Sequence, residues 1–246
     1  MIDDRTEVLA YLTEAQIEHL CNRHYGIGAD GLILIRNMYS VDFRMLYYNA
    51  NGKEGSMCGN GARCAVIFAA ECGVGFNTHS FMAFDGMHSF SLTGHNRVKV
   101  SMKDVRNIKA RDNALFLDTG SPHLVFNVDD VTAINVYEMG KQIRNNPEFA
   151  EKGVNVNFLQ IAPGALRIRT YERGVENETE ACGTGCVAAA ISRSEWSRNM
   201  STEQSYCIEA NGGTLNVSFK KEGVGKYTNV FLEGPVERVF EGVIQI

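Results

Sequence analysis

The chain has 246 residues, 44% hydrophobic and 22% charged. That is globular composition, and at ~150 residues per domain it allows one or two domains. Its 24 basic and 29 acidic residues give a net charge of −5 with no basic run, so nucleic acid is not an expected partner. No apolar stretch approaches the ~18 residues that span a bilayer, and Met1-Ile2-Asp3-Asp4-Arg5 lacks the layout of a secretory signal. Seven cysteines are too few for a disulfide scaffold, and an odd number cannot all pair. A reducing, cytoplasmic setting is therefore the expectation.

Thr13-Glu14-Ala15-Gln16 reads as a capping box. The helix it opens has an apolar face of Ile17, Leu20, Cys21 and His24 and is stopped by Gly26. Gly31–Arg36 is a short apolar run suited to a buried strand, and Val41–Tyr48 alternates as a second one before the Asn49-Ala50-Asn51-Gly52 turn. Small and apolar residues from Gly59 to Glu71 suit a tightly packed helix. His79–Leu92 breaks at Asp85-Gly86, a hairpin signature, and Arg97–Met102 adds a strand. In the second half, Leu166–Tyr171 alternates as a strand, and Ala181-Cys182-Gly183-Thr184-Gly185 leads into an Ala-rich helix to about Glu195. Strands are expected next at Ser205–Ala210, Thr214–Lys220, Tyr227–Glu233 and Val236–Phe240.

Met57-Cys58-Gly59-Asn60-Gly61 precedes one helix and Ala181-Cys182-Gly183-Thr184-Gly185 the other. The two cysteines lie 124 residues apart in a chain whose half-length is 123, which points to an internal duplication and two similar α/β domains. The expected domains are residues 1–112, carrying Cys58, and 113–235, carrying Cys182. The closing segment 236–246 is expected to return to the first.

A cysteine just before the first turn of a helix faces unsatisfied N–H groups and the positive end of the helix dipole. Both favour thiolate, so its pKa is expected to fall. The glycines let backbone N–H groups approach an anion. One such turn is a weak signal, because a buried cysteine is more often packing. Two in matching places of a duplicated chain imply two sulfurs converging on one substrate. That arrangement suits removal of a proton from one face of a carbon and its return to the other, thiolate as base and thiol as acid. Backbone N–H donors would support the developing carbanion without a cofactor. Gly26-Ile27-Gly28-Ala29-Asp30-Gly31 only loosely echoes a phosphate loop and precedes a strand, so no nucleotide or pyridoxal site is marked.

These motifs resemble the diaminopimelate epimerase family along nearly the whole chain. Gly26–Gly31 resembles the family's early loop, Tyr48–Gly52 with Cys58-Gly59-Asn60-Gly61-Ala62-Arg63-Cys64 its first catalytic segment, and Gly120-Ser121-Pro122-His123 its middle motif. Asn155-Val156-Asn157-Phe158 and Tyr171-Glu172-Arg173-Gly174 are similar to its substrate-binding segments, and Ala181–Gly185 to its second catalytic segment. Val239-Phe240-Glu241-Gly242 is similar to its last strand.

The resemblance implies an α/β (α+β) fold of two pseudo-symmetric domains, each a curved, mostly antiparallel sheet around a central helix. It implies cofactor-independent epimerisation of LL- to meso-diaminopimelate, with Cys58 and Cys182 as the acid/base pair. Gly59, Asn60, Gly183 and Thr184 would hold the reacting centre, and Asn49, Asn155, Glu172 and Arg173 would read the substrate's polar ends. The pattern also puts His123 near the site, although a histidine after proline serves equally as a structural hydrogen-bonder. Ser121 stands where many members carry asparagine. The family opens with a strand and a Gly-Asn-Asp-Phe segment whose asparagine contacts substrate. Met1-Ile2-Asp3-Asp4 resembles the family's residues just after that segment, so one strand and one contact are expected to be missing.

Proline racemase and hydroxyproline epimerases also use two opposed cysteines, but with Cys-Gly-His-Gly first and an aspartate before the second. Asn60 and the pair Glu172-Arg173 favour a substrate with two zwitterionic ends. A zinc or redox role for Cys58, Cys64, Cys182 and Cys186 would use Cys-x5-Cys and Cys-x3-Cys spacings rather than Cys-x2-Cys. Cys64 and Cys186 read better as helix core, like Cys21, Cys72 and Cys207. No metal is expected. The expected partner is a small-molecule substrate, with no membrane and with a homodimer left open.

Overall fold

The computed structural model describes residues 1–149, 151–197 and 199–244. Its contacts divide the chain into two units, residues 1–100 with the segment from Pro235 onward, and residues 101–234. The first unit runs β1 (Ile2–Asp3), α1 (Glu14–Cys21), β2 (Gly31–Arg36), β3 (Phe43–Asn49), α2 (Gly59–Glu71), β4 (Ser80–Ala83), β5 (Gly86–Gly94) and β6 (Arg97–Ser101). The second opens with β7 (Val105–Arg106), β8 (Lys109–Arg111), β9 (Ala114–Asp118), β10 (Pro122–Asn127), α3 (Val136–Arg144) and β11 (Asn155–Ala162). It continues with β12 (Ala165–Glu172), β13 (Asn177–Thr179), α4 (Gly183–Ser197), β14 (Glu203–Ala210), β15 (Gly213–Gly223) and β16 (Lys226–Pro235).

The same topology is used twice. In the first unit β1 pairs parallel with β2, β2 antiparallel with β3, β3 parallel with β4, and β4, β5 and β6 continue antiparallel. In the second unit β10, β11, β12, β14, β15 and β16 repeat that order and those directions. A parallel step needs a crossover, and a helix supplies it each time. These are α1 and α3 for the first step, and α2 and α4 for the second. Strands β8 and β9 extend the second sheet beyond β10, β7 pairs with β16, and β13 pairs with β12.

Two helices per sheet explain the strand patterns. Leu32, Leu34 and Leu46 pack with Ile17, Leu20 and Cys21 of α1, while Ile33 on the opposite face meets the start of α2. Strand β2 is therefore an unbroken apolar run, buried on both sides. In the second unit Leu124, Val156, Phe158 and Tyr171 pack with Val136 of α3. The alternate residues, among them His123, Asn155, Asn157 and Thr170, take the other face, the one toward α4. Helix α4 packs against six strands and is buried without a break from Cys186 to Ile191. That burial explains its run of small residues.

Several expectations shift. The Thr13 capping box forms, but α1 ends at Cys21, short of His24. Asn22 Oδ1 accepts the N–H groups of His24 and Tyr25 at 2.8 and 3.0 Å, folding the chain into a turn instead. The β4–β5 pairing closes at Ala83 opposite Gly86, so its two-residue loop is Phe84-Asp85, one position earlier than expected. Residues 226–235 form one continuous strand and 236–240 form none. Val236 N–H there donates to Asn96 O at 2.8 Å. Helix α3, which sequence reasoning did not find, holds Gly140 mid-helix because a Cβ there would lie 2.3 Å from Tyr171 Cβ.

Candidate active site

Cys58 is the N-cap of α2, with extended backbone (φ −106°, ψ 112°). Its carbonyl accepts the first helical bond from Ala62 N–H at 2.8 Å, and its Sγ accepts from Gly61 N–H at 3.4 Å. A Cβ at residue 61 would stand 2.7 Å from Ile33 Cδ1, the movable end of a side chain, and 3.5 Å from the Cys58 sulfur. Behind this turn lies Arg63, only 5% exposed. Its Nη1 donates to Gly59 O at 3.1 Å and its Nη2 to Asn60 Oδ1 at 2.9 Å. A guanidinium only donates, so this contact fixes the oxygen of Asn60 toward Arg63. Asn49, the last residue of β3, donates from Nδ2 to Lys53 O at 3.3 Å across the adjoining turn.

Cys182 repeats the arrangement at α4. Its carbonyl accepts from Cys186 N–H at 2.9 Å, and its sulfur lies on the Gly185 N–H and 3.4 Å from Thr184 Oγ1. The expected fall in thiol pKa does not occur here. Burial pushes the Cys182 thiol well above its ordinary value, and the neighbouring Glu172 carboxylate pushes it further. The Thr184 hydroxyl and the Gly185 N–H pull it down, but desolvation outweighs them. Cys182 is thus a thiol at neutral pH.

Around Cys182 the second unit gathers most of the other candidates. Thr119 Oγ1 donates to Thr184 O at 2.9 Å, tying the β9–β10 turn, which contains Ser121, to the start of α4. Glu172 Oε2 accepts from Thr179 Oγ1 at 2.7 Å. Asn155, 3% exposed, donates from Nδ2 to Pro122 O at 3.2 Å and accepts Arg173 N–H on Oδ1 at 2.9 Å. The Arg173 guanidinium reaches back to Lys152 O at 2.8 Å, past Gly153, whose φ is +70° and where a Cβ would lie 2.6 Å from Arg173 Cδ.

His123 is fully buried and its Nδ1 lies 3.1 Å from Asn157 Nδ2. Desolvation drives its pKa down to about 3, with Arg173 adding to the fall and Asp118 and the Asn157 contact opposing it. The imidazole is neutral. Sequence reasoning did not single out Thr170, Thr119 or Thr179, and it quoted Asn157 and Arg63 only within matched segments, without a role. For Asn157 a signal was present. Asn-x-Asn in a strand puts both side chains on one face.

Of the remaining cysteines, Cys21 and Cys186 are buried and Cys64, Cys72 and Cys207 partly so. Among the described residues no three His, Cys, Asp or Glu side chains are grouped to hold a metal ion, and no helix is long and apolar enough to cross a membrane. A cavity in the first unit, lined by Met38, Arg44, Glu54 and Phe84 among others, contains none of the candidate residues.

A family model described as diaminopimelate epimerase matches residues 1–107 and 115–239, spanning both cysteine turns. The chain belongs to the diaminopimelate epimerase family. It is therefore an epimerase, an enzyme of the isomerase class. A diaminopimelate epimerase of Flavobacterium psychrophilum is 43% identical over 245 residues, covering 99% of this chain and 94% of the relative. One of Chlorobaculum tepidum is 41% identical, covering 100% of this chain and 97% of the relative. Among solved structures, a Bacillus anthracis phenazine biosynthesis protein of the PhzF family has a TM-score of 0.72 at 13% identity, covering 95% of this chain and 88% of that one. A hydroxyproline epimerase from Agrobacterium vitis, with bound trans-4-hydroxy-L-proline, has a TM-score of 0.62 at 15% identity, covering 89% and 76%. At such identities these two likenesses show the fold alone, which the epimerase family shares with them.

Proposed function

We propose that the chain interconverts LL- and meso-diaminopimelate with Cys58 and Cys182 as the two acid/base groups. The observation that carries this reading is the repeated turn. Each cysteine precedes the first turn of the crossover helix at the same topological place of its unit, with its sulfur on the N–H of the glycine three residues later.

The chemistry is balanced by two sulfurs alone. A thiolate takes the α-proton, breaking the Cα–H bond and leaving its electron pair on carbon. A thiol on the other side then protonates the carbanion and becomes the thiolate. The proton count is unchanged and the two roles are exchanged, as a reversible epimerisation requires. Burial keeps the proton on Cys182, which supports Cys182 as a proton donor. The backbone N–H groups of the first turns of α2 and α4 are fixed dipoles suited to the carboxylate of the reacting centre, where negative charge builds as the proton leaves. Glu172 and Arg173 offer an acceptor for an ammonium and a planar donor for a second carboxylate, a pairing that fits a substrate with an amino-acid group at each end.

Incubation with LL-diaminopimelate in deuterium oxide tests the reading. The expected product is meso-diaminopimelate carrying deuterium at one α-carbon, while trans-4-hydroxy-L-proline is left unchanged. Absence of the meso product, or faster turnover of the hydroxyproline, overturns it.

A further inference from the structure

The amide of Asn157 can adopt only one orientation. Its Nδ2 faces Leu124 O at 3.1 Å and Asn155 O at 3.3 Å, two carbonyls that can only accept, and its Oδ1 accepts the Thr170 hydroxyl at 3.0 Å. The same Nδ2 lies 3.1 Å from His123 Nδ1. The two hydrogens of this NH2 are shared among three acceptors, and a proton on Nδ1 would face an amide nitrogen that cannot accept it, so the single proton of the neutral ring sits on Nε2. Nε2 is fully buried and, among the described residues, has no hydrogen-bond partner. A buried N–H without an acceptor is a rare and costly feature. It sits in a network that abuts the catalytic turn, because Asn157 Oδ1 fills the space a side chain at Gly185 would need.

We propose that Asn157 is a positioning residue that locks His123 in its Nε2–H tautomer, and that this N–H donates to a carboxylate oxygen of the bound amino acid. The second half of this inference rests on the epimerase reading above; the first does not. Because Nδ1 is held by the amide and burial resists a second proton, the ring cannot take up a proton at either nitrogen near neutrality. It acts as a fixed dipole rather than a base. The charged groups that act on it, Asp118 at the end of β9 and Arg173 after β12, oppose one another. The ring therefore stays neutral while Nε2–H waits for an anion.

Nitrogen NMR on protein labelled with 15N-histidine tests both halves. The chain has 6 histidines, and the His123→Gln protein identifies the resonance that disappears. Expected is a neutral Nε2–H signature for His123 that does not titrate between about pH 5 and 8, and an exchanging mixture of tautomers in Asn157→Ala. A proton on Nδ1 of His123, or titration of its ring in that range, in the unmodified protein overturns the lock. Adding diaminopimelate to the Cys182→Ala protein, which binds without turnover, is expected to shift the Nε2 resonance. Saturation by calorimetry with no shift overturns the donor role and leaves the N–H to water. Failure to bind diaminopimelate at all overturns the epimerase reading and the donor role together, with the lock still judged by the spectrum of the unmodified protein. In turnover, His123→Gln, whose amide NH2 reproduces the Nε2 donor, is expected to stay within about 10-fold of normal. His123→Phe should fall by about 100-fold, the usual loss for one preorganised donor. The reverse order overturns the donor role.

Discussion

Asn157 Oδ1 stands 2.6 Å from the point a Cβ on Gly185 would occupy, with Cys182 Cβ 3.3 Å and Thr170 Oγ1 3.4 Å from the same point. All three neighbours are short and fixed, so Gly185→Ala must displace the turn that carries Cys182. A displacement of about 1 Å at a reacting group costs about 100-fold in rate. We therefore expect kcat/KM for diaminopimelate to fall by about that factor. Gly61→Ala meets the movable end of Ile33, whose Cδ1 would be 2.7 Å away, and should be several-fold milder. Steady-state kinetics on the two variants decides the ranking, and equal losses would contradict it.

Cys58→Ala and Cys182→Ala are each expected to lower epimerisation by at least about 1,000-fold, since general acid or base catalysis is worth about 100- to 10,000-fold per group and neither sulfur has a substitute. The folding cost is small by comparison. Deleting one buried sulfur from a chain of this size removes about 1 kcal/mol, or about 2–4 °C in melting temperature. Circular dichroism and a melting curve beside the activity assay separate the two effects. Near-normal turnover in either variant would refute the two-base scheme.

The duplicated organisation was legible in the sequence because the cysteine turn has a rigid chemical specification. It needs an N-capping atom, a residue free to open the helix, and a glycine three positions on where a Cβ would strike the strand below. Helix α2 and strand β2 were found residue for residue because small and apolar runs have one packing solution. Helix α3 was not found although its signals were present, with Asn135 capping its start through Glu138 N–H and Lys141 and Arg144 in its last turn. The end of α1 was misjudged because Asn22 captures two N–H groups that a continuing helix would have used. Among the candidate site residues, Cys58, Cys182 and the pair Glu172-Arg173 stood out by type. Thr119, Thr179 and Arg63 act through partners 65, 7 and 3 residues away, relations that spacing alone does not mark as functional. The thiol of Cys182 went the other way from its expectation because the helix-end argument counts dipoles and not desolvation.

That raised thiol pKa has a consequence for stability. In the unfolded chain Cys182 ionises near its ordinary value of about 9, whereas in the folded protein burial and Glu172 hold the proton on. A group with a raised folded pKa contributes its full stability below the unfolded pKa. As pH climbs above about 9 the unfolded state alone loses the proton, and the contribution is lost. The melting temperature should therefore drop between about pH 8 and 10, and drop less in Cys182→Ala. A pH-by-temperature scan of both proteins checks this. Parallel curves would mean that Cys182 ionises as readily folded as unfolded.

Arg63 bears on both fold and function. Its guanidinium is nearly buried at the positive end of α2, where a cation is unfavourable for the helix. Removing Arg63 leaves Gly59 O and Asn60 Oδ1 without its N–H groups, and each buried acceptor left unpaired costs about 1–3 kcal/mol, so Arg63→Met should melt several degrees below the unmodified protein. Its effect on turnover should be large. Without Nη2 on Asn60 Oδ1, the Asn60 amide is free to turn over and present its oxygen to an anionic substrate group in part of the population. A hydrogen bond to a charged group is worth about 1.5–3 kcal/mol, so kcat/KM should fall about 10- to 100-fold, and Arg63→Lys, which restores one donor, should recover part of it. If the effect runs through Asn60, then adding Arg63→Met to an Asn60→Ala protein should change little further, since the amide it orients is already gone. Independent, multiplying losses from the two substitutions would instead give Arg63 a role of its own at the site.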